Sequence, residues 1–244
     1  MMVTKSIFDI NAVLHCDDPR EMPIYSIPEA AHYLTIPHAT LRSWVLGRKY
    51  PTESGETRLF QRLIKLPRRD ANLLSFFNLV EAHVLRAFRR EHKIRLKHIR
   101  LALNYLKREF GVKRPLIEQQ FQTDGAGLLV ERLGKLIDVS ADGQIVMKKV
   151  VEAHLKRLEW EDNVVSCLYP FTRANDIDSP RSVLIDPRFS FGRPVLRVCR
   201  VETAVIAERY KAGDSVDSLA DDYACERLEI EEGLRCELSL QDAA

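Results

Sequence analysis

A chain of 244 residues that is 45% hydrophobic and 30% charged has the composition of a folded protein with room for two or three small domains. It holds no run of about 18 uncharged apolar residues, and its first 24 residues mix apolar positions with Lys5, Asp9, Asp17, Asp18, Arg20 and Glu21. Neither a spanning helix nor a secretory signal is expected, and cytoplasmic residence is. The net charge of +2 conceals a polarity: residues 1–114 carry 21 Lys and Arg against 11 Asp and Glu, residues 115–200 carry 12 of each, and residues 201–244 carry 4 against 12. Such a chain is expected to meet a polyanion at one end and a basic partner at the other.

In chain order, residues 26–46 read as two short helices joined by a tight turn. Ser26 is placed as an N-cap, Glu29 stands three residues on, and Pro28 falls early, where a missing N–H costs little. From Tyr50 to Leu66, Pro51, Ser54 and Gly55 interrupt the chain before apolar alternation resumes, the pattern of a loop and a short hairpin. Phe76, Leu79, Val80, Val84, Ala87 and Phe88 fall on one helical face. Leu96, Ile99, Leu103, Leu106 and Phe110 make a second stripe, fit for core packing or for a dimer contact, and Gly111 ends that helix.

From Gln119 to Val146 the short runs broken by Asp124-Gly125, Gly127, Gly134 and Asp142-Gly143 predict small antiparallel strands. Lys148 to Trp160 predicts a helix, and the polar stretch Arg173–Pro180 a loop. Ser182–Ile185 and Pro194–Val198 predict short strands, followed by two or three acidic helices. The expected architecture is mainly α with small β elements (α+β). Residues 1–72 form a winged helix-turn-helix, 73–163 a helical middle region with a short sheet, 164–181 a linker and 182–244 an acidic three-helix, homeodomain-like domain.

Five scattered cysteines (Cys16, Cys167, Cys199, Cys225 and Cys236) include no C-x-x-C pair, which argues against a disulfide framework or a thiolate metal site and for a reducing compartment. The seven histidines do not pair at metal spacing. No P-loop, G-x-G-x-x-G, G-x-S-x-G or H-E-x-x-H occurs, so no cofactor, metal or catalytic activity is expected.

The first helix pair carries chemistry on its outside. Ala31 permits close crossing, Leu34, Ile36, Leu41 and Trp44 supply the buried set, and the second helix then turns His38, Thr40, Arg42 and Ser43 outward, with Arg48 and Lys49 beyond them. Those side chains hydrogen-bond base edges and phosphates, so the pair is read as a double-stranded DNA reader. An ordinary helical hairpin shares the spacing; the basic outer face and the following hairpin decide for DNA. Arg68, Arg69, Arg86, Arg89, Arg90, Lys93, Arg95, Lys97 and Arg100 form a second basic cluster, readable as further phosphate contacts or as a solvated face.

Near the C-terminus the pattern recurs. Ser26-Ile27-Pro28-Glu29-Ala30-Ala31 with Leu34 is matched by Ser215-Val216-Asp217-Ser218-Leu219-Ala220 with Tyr223. The next helix, however, carries Glu226, Glu229, Glu231 and Glu232, which phosphates would repel; these four are expected to touch a protein partner.

Two resemblances extend this reading. Ser26–Ala31, Thr40-Leu41-Arg42-Ser43-Trp44 and Thr57-Arg58-Leu59-Phe60 resemble the winged helix of MerR-type regulators, which implies DNA-backbone contacts for Arg42 and Arg58. Val183–Pro187, Phe191-Gly192-Arg193-Pro194-Val195-Leu196 and Val205–Gly213 resemble a three-helix domain of VapB-type antitoxins, continued by Ser218–Tyr223 and Glu229–Arg235. The second resemblance implies an antitoxin that binds and neutralises a PIN-like ribonuclease toxin and represses its own operon, with a homodimer on its own operator. The alternative is a free-standing MerR-like regulator that senses a small molecule in the 115–165 region.

Overall fold

The computed structural model describes residues 18–51, 57–68, 71–90, 94–137, 140–173 and 178–238. Its elements, in order, are α1 (Ile27–Tyr33), α2 (His38–Leu46), β1 (Arg48–Pro51), β2 (Thr57–Phe60), α3 (Phe76–Arg90), α4 (Leu96–Glu109), α5 (Ala126–Ile137), α6 (Ala141–Leu155), β3 (Leu158–Glu161), β4 (Val164–Leu168), β5 (Val183–Leu184), β6 (Val195–Leu196), α7 (Thr203–Ala212), α8 (Val216–Tyr223) and α9 (Arg227–Leu238). The strands pair as three antiparallel two-stranded ladders, so the chain is α+β, mainly helical, with a helix-turn-helix at its N-terminal end.

Helix α3 is the axle. The sequence marks one apolar face, yet nearly every side chain from Phe76 to Phe88 is buried, because α6, the short turns at Pro19–Glu21 and Pro115–Ile117 and Phe171 beyond β4 pack around it. Two basic side chains on and beside this axle are structural. Arg86 donates from Nη1 to the Leu34 carbonyl at 2.7 Å and lies over the Phe171 ring, fixing α3 to the end of α1. Arg114 lies over Phe77 and pairs with Glu81 and Glu21 at 3.0 Å each. Ile99, Leu103 and Leu106 of the α4 stripe are buried within the chain, with α5 the chief partner helix of α4. Three of the stripe's five members are therefore core, and Leu96 and Phe110 are half-buried.

Residues 119–146 differ from expectation: α5 and the start of α6 stand where strands are predicted, behind a π-turn over Phe121–Gly125. Asp142-Gly143 lies in the first turn of α6, where the Gly143 N–H donates to the Ser140 side chain, and Asp124-Gly125 lies in the π-turn. Neither dipeptide makes a hairpin. Met147, Val151, His154 and Leu155 supply the helical stripe that buries α6. The helix ends at Leu155, and Leu158–Glu161 is strand β3 instead of its last turn. The true hairpin turn is Asp162-Asn163, both at positive φ (50° and 64°), the conformation a two-residue primed turn requires.

The stretch expected as a linker, 164–181, begins with β4, and Leu168 and Ile185 exchange backbone hydrogen bonds at 3.0 and 2.8 Å. Buried Arg157 fastens the segment between β4 and β5. Its guanidinium donates to the carbonyls of Tyr169, Pro170, Ser179 and Pro180 at 2.6–3.0 Å and lies over the Phe171 ring. Beyond it, α7, α8 and α9 close around Val183, Leu196, Ile206, Leu219, Ile230 and Leu234. This end docks back on the first helix: the Tyr25 hydroxyl donates to the Gly192 carbonyl at 2.7 Å, and α9 touches α1.

Candidate nucleic-acid interface

The helix-turn-helix is built from its caps inward. The Glu29 N–H donates to Ser26 Oγ at 3.3 Å and the Ser26 N–H to the Glu29 carboxylate at 2.9 Å, a reciprocal cap that starts α1. Buried Ala30 and Ala31 keep the first helix thin where α2 crosses it. The turn carries Thr35 at φ 48° and closes with the Ile36 N–H on the Ala31 carbonyl at 2.9 Å. Leu41, Trp44 and Val45 then bury one side of α2, leaving His38, Ala39 and Arg42 exposed and Thr40 and Ser43 half-buried. The Ser43 hydroxyl donates to the Thr40 carbonyl at 2.7 Å, so toward an outside ligand it offers lone pairs.

Gly47 turns the chain from α2 into the wing. It stands at φ 75°, and a Cβ there would lie 2.4 Å from the Phe60 carbonyl oxygen, so conformation and space both demand glycine. In the β1–β2 ladder, Arg48 pairs with Phe60, Lys49 with Leu59 and Tyr50 with Arg58. Arg48 and Lys49 are exposed; the Arg58 side chain lies outside the described residues, as do the wing tip, Arg69, Lys93 and the side chains of Arg89 and Arg90.

The sequence-derived site lacks a third wall, which α4 supplies. The Arg100 guanidinium lies 4.9 Å over the Phe60 ring and donates to the Gln61 carbonyl, fastening α4 to the wing. This sets Arg95, Leu96 and Lys97 across a groove of about 500 Å³ from Ala39, Thr40, Ser43 and Trp44 of α2 and Arg48 and Phe60 of the wing. Among the described residues the groove has three cations on its rim and no carboxylate in its lining, an electrostatic seat for a phosphate strand. Partial burial, with the Lys97 and Arg95 charges adding, pushes the pKa of His98 behind this rim below the ordinary imidazole range. Of the predicted residues, Thr40, Ser43 and Arg48 line the groove, while His38, Arg42 and Lys49 stand exposed beside it on α2 and β1. Arg95 and Lys97 were visible in the sequence only as part of a basic run. The cluster divides: Arg86 and Arg100 hold the fold, and Arg95 and Lys97 face outward.

The acidic helix pair at the other end is neutralised in part from within. Arg209 pairs with Asp214 and Asp222, Arg227 with Asp217 and Glu231, and Arg235 with Glu231 and Glu232. Of the four glutamates predicted to meet a partner, Glu226 is exposed and Glu229 and Glu231 half-buried. Glu232 is buried, accepting from Thr172 and Arg173 as well as Arg235. A carboxylate so enclosed joins α9 to the segment after β4 and is out of reach of a docking surface. The signal for this lay in Thr172 and Arg173, far off in sequence.

The fold and this interface define a helix-turn-helix DNA-binding protein. Residues 23–103 match a family described as "Putative DNA-binding HTH domain", so α4 as far as Leu103 lies inside the matched unit, and residues 183–235 match "Protein of unknown function (DUF433)". A relative from Mycobacterium tuberculosis, "Putative antitoxin VapB45", is 30% identical over 218 residues, spanning 83% of this chain and 89% of the relative. The X-ray crystal structure of Rv2018 from Mycobacterium tuberculosis is similar at a TM-score of 0.63 and 26% identity, covering 87% of this chain and 98% of that one. The chain belongs to the VapB antitoxin family. No helix among the described residues is long and apolar enough to cross a membrane.

Proposed function

We propose that the protein is the antitoxin of a toxin–antitoxin pair. It binds its own operator as a homodimer through α2, the wing and the start of α4, represses its operon, and neutralises a PIN-like ribonuclease toxin through its C-terminal domain. The observation that carries the DNA half is the groove in which Arg48, Arg95 and Lys97 face the recognition helix with no carboxylate among its described lining residues. Thr40 and Ser43 offer polar groups to base edges, and Arg42, Arg48, Lys49 and Arg58 hold phosphates. The VapB relationship supports the toxin half, and the exposed Glu226 at the head of α9 is the member of the acidic set proposed to reach the toxin.

Affinity recovery of the tagged protein from its native cell tests both halves. A stoichiometric small ribonuclease, recovered with DNA from upstream of the protein's own reading frame, is the expected result. A homodimer with DNA and no second protein would overturn the toxin half and favour a free-standing regulator.

A further inference from the structure

Charge in the C-terminal domain is unevenly satisfied. The acidic residues of α8 and α9 pair largely with Arg209, Arg227 and Arg235, and Asp186 and Glu161 with Arg188. Arg193, Arg197 and Arg200, on the stretch that leads into α7, are exposed and make no ion pair among the described residues.

The same stretch presents apolar side chains to solvent. Phe191 is 85% exposed, Val198 64% and Phe189 40%. Ser190, Phe191 and Gly192 stand in succession at φ 45°, 53° and 76°. A left-handed run containing phenylalanine is opposed by local sterics and persists only where its surroundings over-determine it. They do so here. The Gly192 N–H donates to the Phe189 carbonyl at 2.8 Å, the Arg193 N–H to the Ser190 carbonyl at 3.0 Å, and the Tyr25 hydroxyl to the Gly192 carbonyl. A Cβ on Gly192 would lie 2.3 Å from that hydroxyl. Arg200, itself at φ 59°, lies 4.6 Å over the Phe189 ring and joins the 198–200 turn to the loop. Cys199 in that turn and Cys225, one residue before Glu226, both pack on the C-terminal core.

We propose that Phe189, Phe191 and Val198, with the exposed Arg193, Arg197 and Arg200 interspersed along the same stretch, form the seat of a protein partner that offers an acidic surface around an apolar cleft. A rigid aromatic held in place before binding loses little freedom on docking, and phenylalanine beside arginine is the composition of an interface anchor. A nucleic acid is disfavoured, because the rest of the domain, residues 201–244, carries 12 Asp and Glu against 4 Lys and Arg and would repel its phosphates. The identity of the partner as the toxin rests on the antitoxin reading; the seat does not.

The test places a photo-crosslinking phenylalanine analogue at position 191 of the full chain, or at Leu228 on α9 for comparison, in the native cell, with captured species identified by mass spectrometry. The expected result is capture at 191 of one identified acidic protein. Capture falls about tenfold or more when Arg193→Glu, Arg197→Glu and Arg200→Glu are combined, while duplex-DNA binding is kept as the control for folding. Capture at 228 but not 191, capture at 191 indifferent to the three reversals, capture of only nucleic acid or a second copy of this chain, or no capture at either position would each overturn the seat. A nuclease captured from 228 alone leaves the antitoxin reading standing and removes the seat. An acidic protein without nuclease activity, captured at 191 in the charge-dependent way, keeps the seat and removes the toxin as its occupant.

Discussion

Ser26, Ala31, Thr35 and Ile36 of the N-terminal helix pair recur, at one constant offset, as Ser215, Ala220, Ala224 and Cys225 of the C-terminal pair. The physics recurs with them. Each serine caps its helix, Thr35 and Ala224 stand at φ 48° and 50°, and the turn closes at 2.9 Å from Ile36 to Ala31 and at 3.0 Å from Cys225 to Ala220. Leu41 and Val45 are buried in one pair, Ile230 and Leu234 in the other. The difference lies in the second helix, where Thr40, Arg42 and Ser43 correspond to Glu229, Glu231 and the buried Glu232. One backbone thus carries two differently charged helices, and what each can bind is decided by which side chains stand outside it and what has already neutralised them.

The largest effect expected from breaking this comparison is at Glu232. Glu232→Ala removes the carboxylate that Arg173, Arg235 and the Thr172 hydroxyl share; because both arginines are partly exposed and Arg235 keeps Glu231, the cost is about 2–3 kcal/mol, below that of a fully buried pair. Denaturant unfolding should show it, while Ser43→Ala, at the corresponding position of the first pair, should change stability by about 0.5 kcal/mol. A Glu232 variant as stable as wild type would mean that the carboxylate is free after all.

Arg42→Ala should weaken operator binding by about 1–3 kcal/mol, roughly 5- to 150-fold, without moving the midpoint of unfolding. Glu231→Ala at the matching position should leave DNA affinity unchanged. Equal losses from the two would erase the functional distinction between the helix pairs.

Between the pairs lies a pH-sensitive contact. Burial first, and then the neighbouring His154, hold the pKa of His83 well below the ordinary imidazole range, so in the folded protein it is neutral. Its Nε2 stands 3.1 Å from the His154 carbonyl, and both rings pack on Phe171. The unfolded chain takes up a proton near pH 6.5 that the folded one refuses. Stability is therefore fully present above about 6.5 and falls by up to about 1.4 kcal/mol per pH unit below it, until the depressed folded pKa is reached. Calorimetry from pH 7.5 to 5.5 reads this slope, and His83→Gln should flatten it.

A smaller effect than at Glu232 is expected at the caps. Ser26→Ala should cost about 1 kcal/mol and Ser215→Ala somewhat less, because Glu29 returns the bond to the Ser26 N–H and position 218 is a serine. A larger loss at Ser215 would reverse the order the two caps predict.

What was legible in the sequence was what is local. The Ser26–Glu29 cap, the apolar set of α2, the short strands at Val183–Leu184 and Val195–Leu196, and the repeat near the C-terminus are each carried by residues within a few positions of one another. The errors over 119–146 came from reading Asp-Gly pairs as hairpin turns. A glycine three residues after a capping serine is equally at home in a helix's first turn, and the real hairpin turned on Asp162-Asn163 without glycine. The groove's third wall and the burial of Glu232 were not legible, since Arg95 reaches Arg48 only through the Arg100–Phe60 stack, and Glu232 meets Arg173 across most of a domain.

The most direct test is the salt dependence of binding to a duplex taken from upstream of the protein's own reading frame. With Arg42, Arg48, Lys49, Arg58, Arg95 and Lys97 on phosphates, the log–log slope should approach about −5 per monomer, and Arg95→Ala with Lys97→Ala should reduce it by about 2. A slope near zero, or one that the double variant leaves unchanged while Glu231→Ala alters it, would contradict the assignment of the DNA interface to the groove formed by α2, the wing and α4.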